Sequence, residues 1–182
     1  MRRFIVFGVS GVGKTTACLD FVTRHPLFLF LSASSLIAEA KGVSLKSLRT
    51  ASVQQLIANQ EVLQLAVEHR LQKHGSSSFI LDGQCVLDNG SEIVVLPAEA
   101  IAPFRANGLI LLEAPASTIF DRRSRDDRER PQRSIEEIAE QLAMNREAVQ
   151  RYATHLKVPF VFAEAKEELS LDGVVEELSN SL

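Results

Sequence analysis

The stretch Phe4–Thr16, F-I-V-F-G-V-S-G-V-G-K-T-T, holds residue types whose spacing suits one task, the binding and activation of a polyphosphate. Gly8, Gly13, Lys14 and Thr15 fit the pattern G-x-x-x-x-G-K-[ST], and Gly11 adds a further permissive position inside the loop. Such a loop must curl so that consecutive backbone N–H groups point at one anion, which glycine allows without steric cost. Ser10, Val12 and Thr16 fill out the same cradle, and the helix that starts here adds its positive end. Lys14 is placed to bridge the β- and γ-phosphates, and the Thr15 hydroxyl to hold Mg²⁺. The expected ligands are therefore ATP and Mg²⁺.

A second acidic group is wanted near the metal. Asp82 follows the apolar run Phe79-Ile80-Leu81 and supplies it. Phosphoryl transfer then asks for positive charge on the transferring group and in-line placement of the acceptor. Arg122 to Arg133 reads R-R-S-R-D-D-R-E-R-P-Q-R, with six arginines and no apolar side chain beyond Pro131. It cannot be a core element. The expectation is a solvated loop or mobile flap whose guanidinium forks grip phosphate. Arg49, in the connector Val43–Thr50, is a further candidate.

These residues need elements to bring them together. Apolar runs of strand length occur at Phe4–Phe7, Leu27–Leu31, Phe79–Leu81, Leu109–Leu112 and Pro159–Phe162. Their continuous apolar character suits strands covered on both faces, Leu27–Leu31 included as a central one. Helical patterns separate them: Lys14 to about His25, Ser32–Ala40, Ser52 to Gly75, Ala116 to about Arg123, Ser134 onward, and Leu171–Leu178. Ser52 with Gln55, and Ser134 with Glu137, read as capping boxes. Val53, Leu56, Ile57, Leu63, Val67 and Leu71 form the apolar side expected of the long helix. Asn89-Gly90 marks a hairpin between Val86-Leu87 and Ile93–Leu96, and Pro97–Phe104 reads as a short helix. Strands alternating with helices mean an α/β fold with a parallel sheet and right-handed crossovers. In such sheets ligands gather at the carboxyl ends of the strands, where Gly8, Asp82 and Glu113 all fall.

The remaining properties narrow the class. The chain has 182 residues, which is one domain's worth, with no internal repeat or dividing linker. A net charge of −3 argues against a nucleic-acid binder that works by bulk charge. No apolar run approaches a membrane span, and the short apolar segment after Met1-Arg2-Arg3 leads into the phosphate loop and not a cleavage site. Cys18 and Cys85 lack metal-ligand spacing and read as small buried hydrophobes in a reducing compartment, so a cytoplasmic, soluble protein is expected.

Over nearly its whole length the chain resembles the archaeal-type adenylate kinases, in the nucleoside monophosphate kinase branch of the phosphate-loop proteins. The likeness rests on Gly8–Thr16, on Leu48-Arg49 before the helix at Ser52, and on Phe79–Asp82 followed by a hairpin and Leu96-Pro97. It continues through Leu109–Glu113 and the helix entering Arg122-x-x-Arg125-Asp126. The resemblance implies a three-layer fold: a five-stranded parallel sheet, helices on both faces and an arginine-rich lid at about 122–133. It implies an acceptor-nucleotide side at about 32–75, Arg49 near the acceptor phosphate, and Arg122 and Arg125 as catalytic lid arginines beside Lys14 and Asp82. Trimers are common among such relatives, so a homo-oligomer is implied too. One departure is plain: after Asp82-Gly83 stands Gln84-Cys85-Val86, where the classical long-chain adenylate kinases have Phe-Pro-Arg.

Three functions stay open at this point. The first is an ATP-dependent kinase of a nucleoside monophosphate, AMP foremost. The second is a small-molecule kinase acting on a hydroxyl, as shikimate-kinase-like proteins do. The third is a regulatory ATP-binding module that signals to a protein partner. A hydroxyl acceptor needs a base such as Asp82, whereas a monophosphate needs arginines, which this chain has.

Overall fold

The computed structural model describes residues 1–127, 130–165 and 170–180. Arg128, part of the expected lid, lies outside the described residues. The strand β1 (Arg3–Phe7) is the middle of a five-stranded, all-parallel sheet. With β2 (Leu29–Ser32), β3 (Phe79–Asp82), β6 (Gly108–Glu113) and β7 (Phe160–Glu164), the order is β2-β3-β1-β6-β7. The short strands β4 (Val86–Asp88) and β5 (Ile93–Val95) form a separate antiparallel hairpin.

The continuous apolar runs have a simple cause. In β1, Ile5 and Phe7 enter one core, while Phe4 and Val6 enter the other. Successive strand residues point to opposite faces, so a strand covered twice must be apolar throughout. Ile5 and Phe7 meet α2 (Ala33–Lys41), α4 (Val53–His74) and α6 (Ile135–Leu156) through Ile37, Leu63 and Tyr152. Phe4 and Val6 meet α1 (Lys14–Arg24), α5 (Ala116–Ser124) and α7 (Asp172–Asn180) through Phe21, Ile119 and Leu178. Full burial of each such side chain stabilises by roughly 1.5–3 kcal/mol.

Both capping boxes form. The Ser52 and Ser134 hydroxyls accept from the Gln55 and Glu137 N–H groups, and both reciprocal bonds are made. Five expectations change. The Leu27–Leu31 run is an edge strand that starts at Leu29: a turn bonded Phe28 N–H to His25 O precedes it, and Leu27 is 83% exposed. Ile57 is exposed, because the buried row of α4 runs Leu56, Asn59, Leu63, Val67. The connector contains a helical turn, α3 (Leu45–Arg49), and Pro97–Phe104 is two 3₁₀ turns, Ala98–Ala100 and Ala102–Phe104. Last, α5 runs on to Ser124 and takes Arg122 and Arg123 into its final turn. Among the described residues no helix is long and apolar enough to cross a membrane.

Candidate active site

The loop after β1 adopts the backbone that its glycines allow. Gly8, Gly11 and Gly13 all have positive φ, at 148°, 87° and 112°. At Gly8 a Cβ would stand 2.5 Å from the Leu112 carbonyl oxygen, so the neighbouring strand end leaves room only for glycine. Gly13 is the N-cap of α1, with no side chain capping it, so the first-turn N–H groups look onto the loop's concavity. Val12 buries its side chain in the core, and its N–H bonds back to Val9 O at 3.3 Å.

Lys14 is not at a solvent-facing rim. It is 7% exposed, and its Nζ donates to Gly8 O at 2.7 Å and Val9 O at 3.2 Å. Burial pushes its pKa down, and the Asp82 carboxylate works against that. The ammonium has three N–H donors and two are engaged, which leaves one for a phosphate oxygen.

The β1–β3 register pairs Val6 with Asp82 and so delivers that carboxylate beside the loop. Thr15 Oγ1 donates to Asp82 Oδ2 at 2.5 Å. The two metal candidates therefore meet. Glu113 ends β6 at the same sheet edge but is engaged by Arg146, at 2.5 and 2.9 Å, and does not line the cavity. The cavity, about 890 Å³, runs from the phosphate loop, Lys14, Thr15 and Thr16 past Asp82 to Arg49, Asn59 and Gln84.

The arginine segment is folded onto the loop. Arg122 Nη1 donates to Val12 O at 2.8 Å and its Nη2 to Ala165 O at 3.3 Å. Arg123 Nε donates to Ser10 O at 2.8 Å. Arg130 pairs with Asp126, and a Cβ on Gly11 would stand 2.9 Å from Arg130 Nη1. Burial and then the Arg130 charge push the Arg123 pKa down, so positive charge is crowded above the loop and calls for an anion. Arg125 is exposed at the C-cap of α5 and does not line the cavity. Helix phase explains the difference: α5 aims Arg122 and Arg123 at the loop, Arg122 alone of the three lining the cavity, and ends before Arg125.

Arg133 clasps the hairpin. Its Nε and Nη2 donate to the two Asp88 carboxylate oxygens at 3.0 and 2.9 Å, and Nη2 also reaches Gly90 O at 3.1 Å. Gln141 Nε2 donates to Asp88 Oδ2 at 2.7 Å, and Arg123 Nη2 donates to Gln141 Oε1 at 3.4 Å. A chain of bonds thus links hairpin, α6 and phosphate loop. Burial pushes the Asp88 carboxyl up, but bonds from Arg133, the Gly90 N–H and Gln141 outweigh it and hold the group below the usual range. Asp88 was invisible as a site residue in the sequence, where an Asp ending a hairpin strand is the only local hint, and Arg123 stood out only as one of the six arginines of the expected flap. Both cysteines are buried and unpaired; Cys85 Sγ donates to Asn145 Oδ1 at 3.1 Å, and burial pushes its thiol up to about 12.

Comparison with known proteins agrees with this picture. A family model described as AAA domain matches residues 7–139. The adenylate kinase of Thermococcus kodakarensis is 28% identical over 179 residues, covering 96% of this chain and 91% of that protein. The adenylate kinase of Pyrococcus abyssi shows the same identity and coverage. The resemblance to archaeal adenylate kinases is thereby borne out. Among solved structures, shikimate kinase from Bacteroides thetaiotaomicron superposes with a TM-score of 0.59 at 17% identity, over 99% of this chain and 97% of that one. Shikimate kinase from Aquifex aeolicus does so with 0.59 at 16%, over 98% and 95%. These likenesses show the fold, an α/β phosphate-loop architecture around a five-stranded parallel sheet.

Proposed function

The chain belongs to the AAA domain family, and on that premise we propose that it is an ATP-dependent kinase of a nucleoside monophosphate, converting ATP and AMP into two ADP. Kinship with the archaeal adenylate kinases supports a phosphate-loop kinase of a nucleotide or small molecule. The step from there to a monophosphate is carried by one observation. One oxygen of the Asp82 carboxylate already accepts from the Thr15 hydroxyl at the metal candidate pair, while Arg49 and Arg122 line the cavity. A hydroxyl acceptor would need a carboxylate as base, whereas a monophosphate is already ionised and needs cations.

In this reading residues 1–182 work as one kinase domain, with 32–75 as the acceptor side and 122–133 as the lid. The N–H groups of Gly8–Thr16 cradle the ATP phosphates, and Lys14 spans the β- and γ-phosphates with the N–H its loop carbonyls do not use. Arg49 holds the acceptor phosphate. Arg122 and Arg123 stabilise charge on the transferring group. Arg125 joins them only if the segment after α5 rearranges on ligand binding. Thr15 and Asp82 would hold Mg²⁺, and two hard oxygens suit an ion that takes few protein ligands and completes its shell with phosphates and water. Bound there, the ion would supply positive charge to the transferring phosphoryl group.

The test is ADP formation by wild type and Asp82→Asn, each with and without AMP, titrated with Mg²⁺. AMP-dependent turnover in wild type, with a loss in the variant that high Mg²⁺ partly restores, is the expected result. If every monophosphate leaves ADP formation at its no-acceptor rate, the proposal fails.

A further inference from the structure

The acceptor end of the cavity holds two amides that phosphate chemistry does not use. Asn59 lies in the buried row of α4, 3% exposed, and lines the cavity. Lys41, the last residue of α2, reaches across and donates from Nζ to Asn59 Oδ1 at 2.7 Å. An ammonium only donates, so this bond decides which end of the amide is which. The oxygen faces Lys41, and Nδ2 is left for the cavity; among the described residues it finds no acceptor. The next residue, Gln60, also lines the cavity and is held the other way round. Its Nε2 donates to Leu56 O at 3.1 Å, one turn back, and its Oε1 takes no part in that bond. The cavity lining thus includes an amide donor and an amide acceptor from consecutive residues, together with the apolar Leu45 and Leu48.

We propose that Asn59 and Gln60 read the base of the acceptor nucleotide, with Lys41 as the positioning residue that sets the order of the two groups. A 6-aminopurine presents a ring nitrogen that accepts from Asn59 and an exocyclic N–H that donates to Gln60. A 6-oxopurine in the same pose sets its carbonyl against the Gln60 oxygen and its ring N–H against the Asn59 amine. A site with buried polar groups rejects a ligand that leaves them unpaired more strongly than an apolar slot rejects a change of size. Lys41 touches no substrate; its work is to stop the Asn59 amide from turning over. This inference rests on the reading of residues 32–75 as the acceptor side.

The experiment measures kcat/KM for AMP and IMP in wild type, Asn59→Asp, Lys41→Met and Lys41→Arg. Wild type prefers AMP. Asn59→Asp keeps the shape and a partner for Lys41 but removes the donor, so kcat/KM for AMP falls about tenfold or more while KM for ATP moves less than about twofold. Lys41→Met lets the amide turn over, so the AMP-to-IMP ratio falls by about tenfold, and Lys41→Arg, also a pure donor, keeps the ratio high. A merely structural role would weaken both nucleotides alike. If wild type uses AMP but the ratio is the same in Lys41→Met, this inference alone is overturned. A wild type that answers to no monophosphate overturns the proposed function and this inference with it.

Discussion

Replacing Asp88 by Asn should loosen the clasp between the β4–β5 hairpin and the arginine segment. In the native protein the carboxylate accepts from Arg133 Nε and Nη2, from Gln141 Nε2 and from the Gly90 N–H, all between 2.7 and 3.0 Å. Asn keeps one oxygen and sets an amine against Arg133 or Gln141, both donors. Loss of the charge-assisted pair costs about 1.5–3 kcal/mol, and a buried donor left facing a donor adds about 1 kcal/mol. The pair is mostly shielded, with Asp88 and Arg133 side chains 16% and 17% exposed, so solvent screening discounts this only modestly. A net loss of about 3 kcal/mol should lower Tm by about 6–12 °C in a chain of this size. The sign with pH is fixed. A depressed native pKa contributes stability above the unfolded value, about 3.9, and that contribution is lost as pH falls through the native value. The gap between wild type and variant should be full at neutral pH and shrink below about pH 4. Thermal unfolding across that range, with the Asp88→Asn, Arg133→Met double-mutant cycle, measures it. A variant within about 0.5 kcal/mol of wild type, or a cycle with no coupling, would refute the clasp.

Lys14→Ala should lose turnover by several orders of magnitude yet leave Tm within a few degrees, because the ammonium is buried at a desolvation cost and its gain comes with bound phosphate; retained turnover in a folded variant would contradict the role given to this lysine. Arg123→Ala should lower kcat by about tenfold or more with KM for ATP little changed, and Arg125→Ala should act more weakly, since only Arg123 already touches the loop. Steady-state kinetics decides between them, and equal effects would mean that the segment rearranges on binding.

What the sequence determined by itself were the features set by local backbone chemistry. The phosphate loop is legible because only glycine tolerates the backbone of Gly8, Gly11 and Gly13, and both capping boxes are legible because their bonds span three residues. The alternation of doubly covered strands and helices implies a parallel sheet, and the position of Asp82 at a strand end implies its place at the loop. Tertiary structure decided what depends on helix phase and on neighbours distant in the chain. The last turn of α5 turns Arg122 and Arg123, and not Arg125, onto the loop. Lys14 is buried because its own loop carbonyls capture it. The Leu27–Leu31 run looks like a central strand, yet among the described residues no strand pairs on its outer side, and strand order is a property of the whole chain. Asn59 is one polar residue on an apolar helix face, and only the fold brings Lys41, from another helix, to its amide oxygen.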